Sequence, residues 1–175
     1  KMKTYVESQC QFFAGLGRTR FTAIRHSNIY GPHDRFDPER SHVFGATIRK
    51  VVESRDGKVI VWGQGKEVRD FLYVEDFLRF IELVLDRQDY KFDVFNLGSG
   101  QPITVAELNK RVIKISGKDL QIVYDPHGPT LGTKTVIDSA KAQEKFGWQP
   151  QVSLDDGIAR TIDWYKRNLL KKKNC

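Results

Sequence analysis

Residues 25–49 gather the side chains best suited to acid–base chemistry. The segment starts as the polar end of an apolar strand, where Phe21, Ala23 and Ile24 lead into Arg25-His26-Ser27-Asn28. It breaks at Gly31-Pro32, where glycine frees the backbone and proline fixes φ and removes a donor. A polar loop then reaches Ser41-His42 and a helix-like stretch beginning at Val43. Histidine is the natural proton donor near neutral pH, so His42, at the opening of a helix, is the sharpest candidate for an acid. His33 reads as shaping the loop, His26 as part of the strand and His127 as a solvent-facing turn residue. A strand end that turns polar and opens into a long loop is where α/β folds place ligands.

Other chemistry is thinly represented. The sequence holds no Gly-x-x-Gly-x-x-Gly, and Gly63-Gln64-Gly65 and Gly98-Ser99-Gly100 are too short to replace that phosphate-binding loop. Two cysteines, Cys10 in a helical stretch and Cys175, make neither a disulfide framework nor a metal set, so no metal site is expected and a reducing, cytoplasmic setting is the default. Glu75 and Asp76 read as first-turn helix acids that favour the helix dipole.

The elements that must position these residues alternate between helix and strand. Helices are expected over 1–14, Val43–Ser54, Val74–Asp86, 105–116, 139–146 and roughly 154–168. Thr104 with Glu107 has the spacing of a capping box, Gly117 closes that helix, Asp138 caps the next, and Ser153 with Asp156 caps the last. Strands are expected over Phe21–Ile29, Val59–Trp62, Val68–Tyr73, Asp93–Leu97 and Gln121–Tyr124, the second and third forming a hairpin or two closely spaced strands. Alternation of this kind indicates an α/β protein. The 175 residues suffice for a sizeable core, and no apolar run approaches membrane-spanning length. The net charge of +7 does not call for nucleic acid, since five cations in the last ten residues, with no acid among them, account for all but +2 of it.

The order Asn28-Ile29-Tyr30-Gly31-Pro32-His33-Asp34, then Phe36, Pro38 and Ser41-His42-Val43, resembles the extended short-chain dehydrogenase/reductase family, the NAD-dependent epimerases and dehydratases of nucleotide sugars. Val61-Trp62-Gly63-Gln64-Gly65 and Arg69-Asp70-Phe71-Leu72-Tyr73-Val74-Glu75-Asp76 extend the resemblance. The nearest branch is that of the 3,5-epimerase/4-reductases, the GDP-L-fucose synthases. Nearly the whole chain is covered, but only roughly the second half of such an enzyme. The resemblance implies the C-terminal part of a Rossmann-type enzyme with a small mixed α/β substrate domain. Residues 1–31 and about 68–99 would contribute to the Rossmann-type domain, about 32–67 and 100–168 would form the substrate domain, and 169–175 would be a basic tail.

Site residues follow from that resemblance. A reductase of this family needs Tyr-x-x-x-Lys on one helix face, the lysine lowering the tyrosine pKa. Lys3 is the implied lysine, with Lys1 the alternative register and the tyrosine lying before the chain's first residue. Lys3, Ser27, Asn28 and Ile29 would face the cofactor, NADP(H) or NAD, whose main binding loop is absent from this sequence. A nucleotide diphosphate needs convergent cations, and the implied ones are Arg49, Arg69 and Lys134, with Asn28, Val43 and Trp62 also on the substrate side. Arg69 paired with Asp70 or Glu67 is the structural alternative. His42 would reprotonate the enolate formed on epimerisation, whereas Cys10 reads as a half-buried helix residue and not as the epimerisation base. Implied partners are a nucleotide-diphosphate sugar, an N-terminal Rossmann half and a second copy in a homodimer, with no nucleic acid and no membrane. A UDP-glucose 4-epimerase, a dTDP-glucose 4,6-dehydratase or a non-catalytic sugar-nucleotide-binding protein are the alternative readings.

Overall fold

The computed structural model describes residues 2–128, 132 and 134–170. Expectations for Lys1, for 129–131 and 133, and for 171–175 lie outside the described residues.

The alternation of helix and strand is present. Helix α1 (Met2–Leu16) precedes strands β1 (Phe21–His26) and β2 (Asn28–Tyr30), and a loop leads to α2 (Val43–Glu53). Strands β3 (Lys58–Trp62), β4 (Val68–Arg69) and β5 (Phe71–Tyr73) come before α3 (Val74–Arg87). Then follow β6 (Phe92–Leu97), β7 (Ile103–Thr104), α4 (Val105–Ser116), β8 (Gln121–Asp125), α5 (Ala140–Phe146) and α6 (Leu154–Tyr165), which runs into a π-helical turn, Lys166–Leu170.

Two expected strands are each divided by a change of partner. β1 pairs in parallel with β6 as far as His26, and the Ser27 amide still donates to Leu97 O at 2.8 Å. The next amide, Asn28, donates instead to Asp70 O at 3.1 Å, and β2 continues in parallel with β5. Asp70 divides the other strand: β4 before it pairs antiparallel with β7, and β5 after it pairs with β2. Of the two readings for 59–62 and 68–73, a hairpin or two closely spaced strands, the hairpin is not formed, because β3 takes β8 as a parallel neighbour. β7, too short to give a sequence pattern, was not expected.

The helix ends follow the capping chemistry. Thr104 Oγ1 accepts from Glu107 N at 3.1 Å, Gly117 closes α4 with φ 72°, and Ser153 Oγ accepts from Asp156 N at 3.1 Å. Asp138 Oδ1 accepts from Ala140 N at 2.8 Å, although Ser139 is the residue at the cap position of α5 and its hydroxyl donates to Gly98 O.

The apolar residues form two cores. One joins α2, α4 and α6 to β3 and β5 through residues such as Ile48, Val59, Phe71, Leu108 and Ile158. The other joins α3, β6 and α5 through Phe80, Phe95, Leu97, Phe146 and Trp148. α5 therefore packs on α3 and β6, although the sequence grouping puts it with the segment 100–168.

Two fully buried carboxylates tie loops to this frame. Asp70 accepts from Ser99 N at 2.8 Å, from Ser99 Oγ at 2.5 Å and from Ile137 N at 3.3 Å. Asp76 accepts from Gln151 N at 3.1 Å and Val152 N at 3.2 Å, and from the Arg79 guanidinium. Buried polar groups persist only when bonded in this way.

Candidate functional site

A cleft of about 220 Å³ opens between α2, the outer edge of β3 and the N-terminal turn of α4. Helix α2 buries Phe44, Ile48, Val51 and Val52. That spacing leaves Val43, Ala46, Thr47 and Lys50, at i, i+3, i+4 and i+7, along the cleft wall. Strand β3 alternates strictly, with Val59 and Val61 buried and Ile60 and Trp62 exposed. Lys50 and Trp62 meet: the ammonium lies 5.0 Å from the ring centroid and donates to Ile60 O at 2.9 Å. Gly128 lets the neighbouring turn close on the ring, since a Cβ there would lie 2.5 Å from Trp62 Cγ.

The third wall is built by backbone. Val105 N donates to Glu67 O at 2.9 Å and Ala106 N to Gly65 O at 2.9 Å, so the first free amides of α4 are satisfied by the turn between β3 and β4. Gly65 has φ 66°, and an added Cβ would sit 3.0 Å from the Ala106 side chain. This docking brings Glu67, Arg69, Val105 and Asn109 to the cleft that Trp62 and Lys50 share.

Ser41 also lines the cleft, and its buried Oγ has no hydrogen-bond partner. His42, exposed, is the N-cap residue of α2 and makes no side-chain cap bond. Asp34 lies near it: burial raises the Asp34 carboxyl pKa, while an Arg35 N–H bond and the charge of His42 pull it down. His33, at φ 66°, packs on Trp164 with 4.6 Å between ring centroids, which makes it a loop residue. His127 is exposed in the turn after β8, and His26 stands edge-on to Phe77.

The other expected residues fall into two places. Ser27, Asn28 and Ile29 sit where β1 hands over to β2. Asn28 Nδ2 donates to Asp70 O at 2.9 Å, and Ser27 Oγ is buried without a partner. Glu7 and Arg25 pair at 2.5 Å, which sets the N-terminal turns of α1, with exposed Lys3, at the C-terminal end of β1. Arg49 does not line the Trp62 cleft. It pairs with Glu53 at 3.1 Å and donates to Phe36 O at 3.4 Å. Lys134, exposed, bridges beside Val68 and lines the adjoining depression with Glu67. Asp70 bonds the 98–100 turn, and Cys10 is a half-buried free thiol.

The sequence profile of the NAD dependent epimerase/dehydratase family matches residues 1–98. The chain belongs to that family. It is 37% identical over 149 residues to GDP-L-fucose synthase 1 of Arabidopsis thaliana, covering 83% of this chain and 46% of that protein. It is 30% identical over 159 residues to GDP-L-fucose synthase of Escherichia coli K12, covering 85% and 49%. Among solved structures it resembles UDP-glucose 4-epimerase of Thermotoga maritima with UDP-glucose, with TM-score 0.80, 34% identity, and 95% of this chain and 52% of that one covered. A second likeness is dTDP-glucose 4,6-dehydratase of Bacillus anthracis in complex with NAD, with TM-score 0.67, 29% identity, and 84% and 45% covered. The chain spans about half the length of the curated relatives it matches.

Sequence reasoning missed Lys50, Glu67 and Asn109 as residues that line this cleft. Lys50 was within reach: it shares a helical face with Val43, seven residues earlier, and Arg49 does not. Glu67 and Asn109 meet only through the docking of α4, which no local pattern announces.

Proposed function

We propose that this chain is the sugar-nucleotide-binding part of a nucleotide-sugar epimerase/reductase of the GDP-L-fucose synthase type, converting a GDP-4-keto-6-deoxy-mannose by 3,5-epimerisation and 4-reduction. The observation that carries this reading is the convergence of Lys50, Arg69 and the Trp62 ring on one cleft beside Ser41-His42. Two cations meet a diphosphate by charge-assisted hydrogen bonds. An aromatic plate takes a base or sugar face by stacking. Lys134 and Arg49 stand on neighbouring walls as further cations.

His42 is the acid in this scheme, delivering a proton to carbon after the α-proton of the ketone has been removed. Lys3 supports a tyrosine hydroxyl that exchanges a proton with the C4 oxygen. Residues 1–31 and about 68–99 belong to the dinucleotide side, and about 32–67 and 100–168 chiefly to the substrate side. The dinucleotide, NADP(H) or NAD, supplies hydride to C4 when bound. Ser27, whose orphaned buried hydroxyl suits a polar ligand, would contact it with Asn28, Ile29 and Lys3. The working protein is a homodimer acting on a nucleotide-diphosphate sugar in the cytoplasm. The likeness to a UDP-glucose 4-epimerase at 34% identity supports a second reading, a 4-epimerase on the same cleft.

Trp62 makes the test direct. GDP-sugars should quench tryptophan fluorescence with micromolar affinity, and Trp62→Phe should remove that signal while calorimetry still reports binding. Absence of binding by calorimetry would remove the reading.

A further inference from the structure

We infer that Glu67 and Asn109 form the base-reading end of this cleft and select guanine. This rests on the nucleotide-sugar reading and names the residues that would read the base and set the site's preference for it. Both residues line the cleft on the side where α4 docks on the β3–β4 turn.

Asn109 is 2% exposed. Its Nδ2 is already committed, donating to Val105 O at 2.8 Å one turn back on α4. Its Oδ1 is left without a partner among the described residues, yet it is not sealed off from solvent as Ser27 Oγ and Ser41 Oγ are. Asn109 is thus an oriented acceptor in an otherwise apolar wall. Glu67 is half-buried, and its carboxylate makes no ion pair or hydrogen bond among the described residues, while its backbone carbonyl is fixed by Val105 N. A cleft that already carries Lys50 and Arg69 for phosphate has no need of an acid for that purpose.

Acceptors alone at the base end discriminate by chemistry. Guanine presents N1–H and the 2-amino group side by side, two adjacent donors that a carboxylate meets with both oxygens. The second amino hydrogen remains for an amide oxygen. Uracil offers one N–H between two carbonyls, and adenine sets a lone pair beside its amino group. Either base would put an acceptor against the Glu67 carboxylate. A site built to bond a particular donor rejects an analogue lacking it far more strongly than an apolar pocket rejects a missing methylene. The Trp62 ring supplies base-independent stacking, so preference rests on Glu67 and Asn109.

Calorimetric titration of the chain with GDP, IDP and UDP tests this, IDP being GDP without the 2-amino group. GDP should bind about 10–100-fold more tightly than IDP, the value of one charge-assisted hydrogen bond, and more tightly still than UDP. Glu67→Gln, at a half-buried residue whose side chain makes no hydrogen bond or ion pair among the described residues, should reduce GDP affinity by a similar factor and bring GDP and IDP close together. Asn109→Ser should weaken GDP more than IDP. Equal binding of all three nucleotides, or a GDP preference that survives Glu67→Gln, would overturn the base assignment and leave the nucleotide-sugar reading standing. Binding of none of them would overturn both.

Discussion

The Lys50 ammonium lies 5.0 Å from the centre of the Trp62 ring and is bonded to Ile60 O. Cation, ring and carbonyl hold one another, so the charge that we propose for phosphate would be poised before ligand arrives. Long lysine side chains lose about 2 kcal/mol of rotamer entropy when fixed, and here folding has already taken most of that loss. Lys50→Met should therefore weaken nucleotide-diphosphate binding by about 1.5–3 kcal/mol while barely moving the melting temperature, as calorimetry and thermal unfolding would read.

Burial also lowers the Lys50 pKa from the ordinary lysine value. Between the lowered folded value and the unfolded one the unfolded chain binds more protons, so the residue's contribution to stability rises with pH through that window. Affinity for an anion moves the other way, since the charged form does the binding. In titrations from pH 7.5 upward, nucleotide affinity should start to fall below the usual lysine range of about 10.4. Lys50→Arg, which keeps its charge throughout, should abolish that fall. A flat wild-type profile would show that Lys50 does not contact the anion.

Arg69 and Asp70 are sequence neighbours in different settings, the first lining the cleft and the second bonding the amides of Ser99 and Ile137. Arg69→Ala should lower affinity for a nucleotide-diphosphate sugar by about 1.5–3 kcal/mol and leave urea unfolding nearly unchanged. Asp70→Ala should cost roughly 2–4 kcal/mol of stability, because the partly buried amides of Ser99 and Ile137 would lose their acceptor. The reverse pattern, a stability loss at 69 and an affinity loss at 70, would exchange their roles.

In the whole enzyme, His42→Gln should slow solvent deuterium exchange at C3 and C5 of the sugar by about 10²–10⁴-fold, the usual worth of a general acid. Glutamine keeps bulk and hydrogen bonding but carries no proton to give. Hydride delivery to C4 should suffer far less. Wild-type exchange rates, followed by NMR, would remove His42 from the proton transfer.

Gly157 lies beneath the Tyr30 ring, and a Cβ there would meet the Tyr30 hydroxyl and sit 2.8 Å from Cζ. Gly157→Ala should destabilise by about 1–3 kcal/mol through overpacking, and Tyr30→Phe should recover part of it. A double-mutant cycle by urea unfolding gives the coupling. Independent, additive effects would place the two residues out of contact.

Much of this architecture is legible from local pattern. Thr104 and Ser153 cap the helices expected of them, and β3 shows its alternation in Val59, Ile60, Val61 and Trp62. What local pattern does not carry is partner choice. Nothing at Ser27 or Asp70 says that a strand leaves one neighbour for another there, because that depends on where β6, β5 and β7 end. The cleft behaves likewise. Trp62 and Arg69 are visible in a run of sequence, Lys50 was obscured by the adjacent Arg49, and Asn109 joins them only across the α4 contact.

Helix α2 carries His42 at its N-cap and Lys50 eight residues on. At 1.5 Å per residue that separation is about 12 Å, fixed by a rigid rod whose buried side cannot slide. The helix is thus a gauge of length. A free sugar or a bare nucleoside cannot reach both marks, whereas a sugar joined to a nucleoside through a diphosphate can. With His42 as the proposed proton donor and Lys50 as the proposed anion anchor, only a molecule of the right extent would engage both, and shorter ones would be withheld from reaction without any group devoted to excluding them.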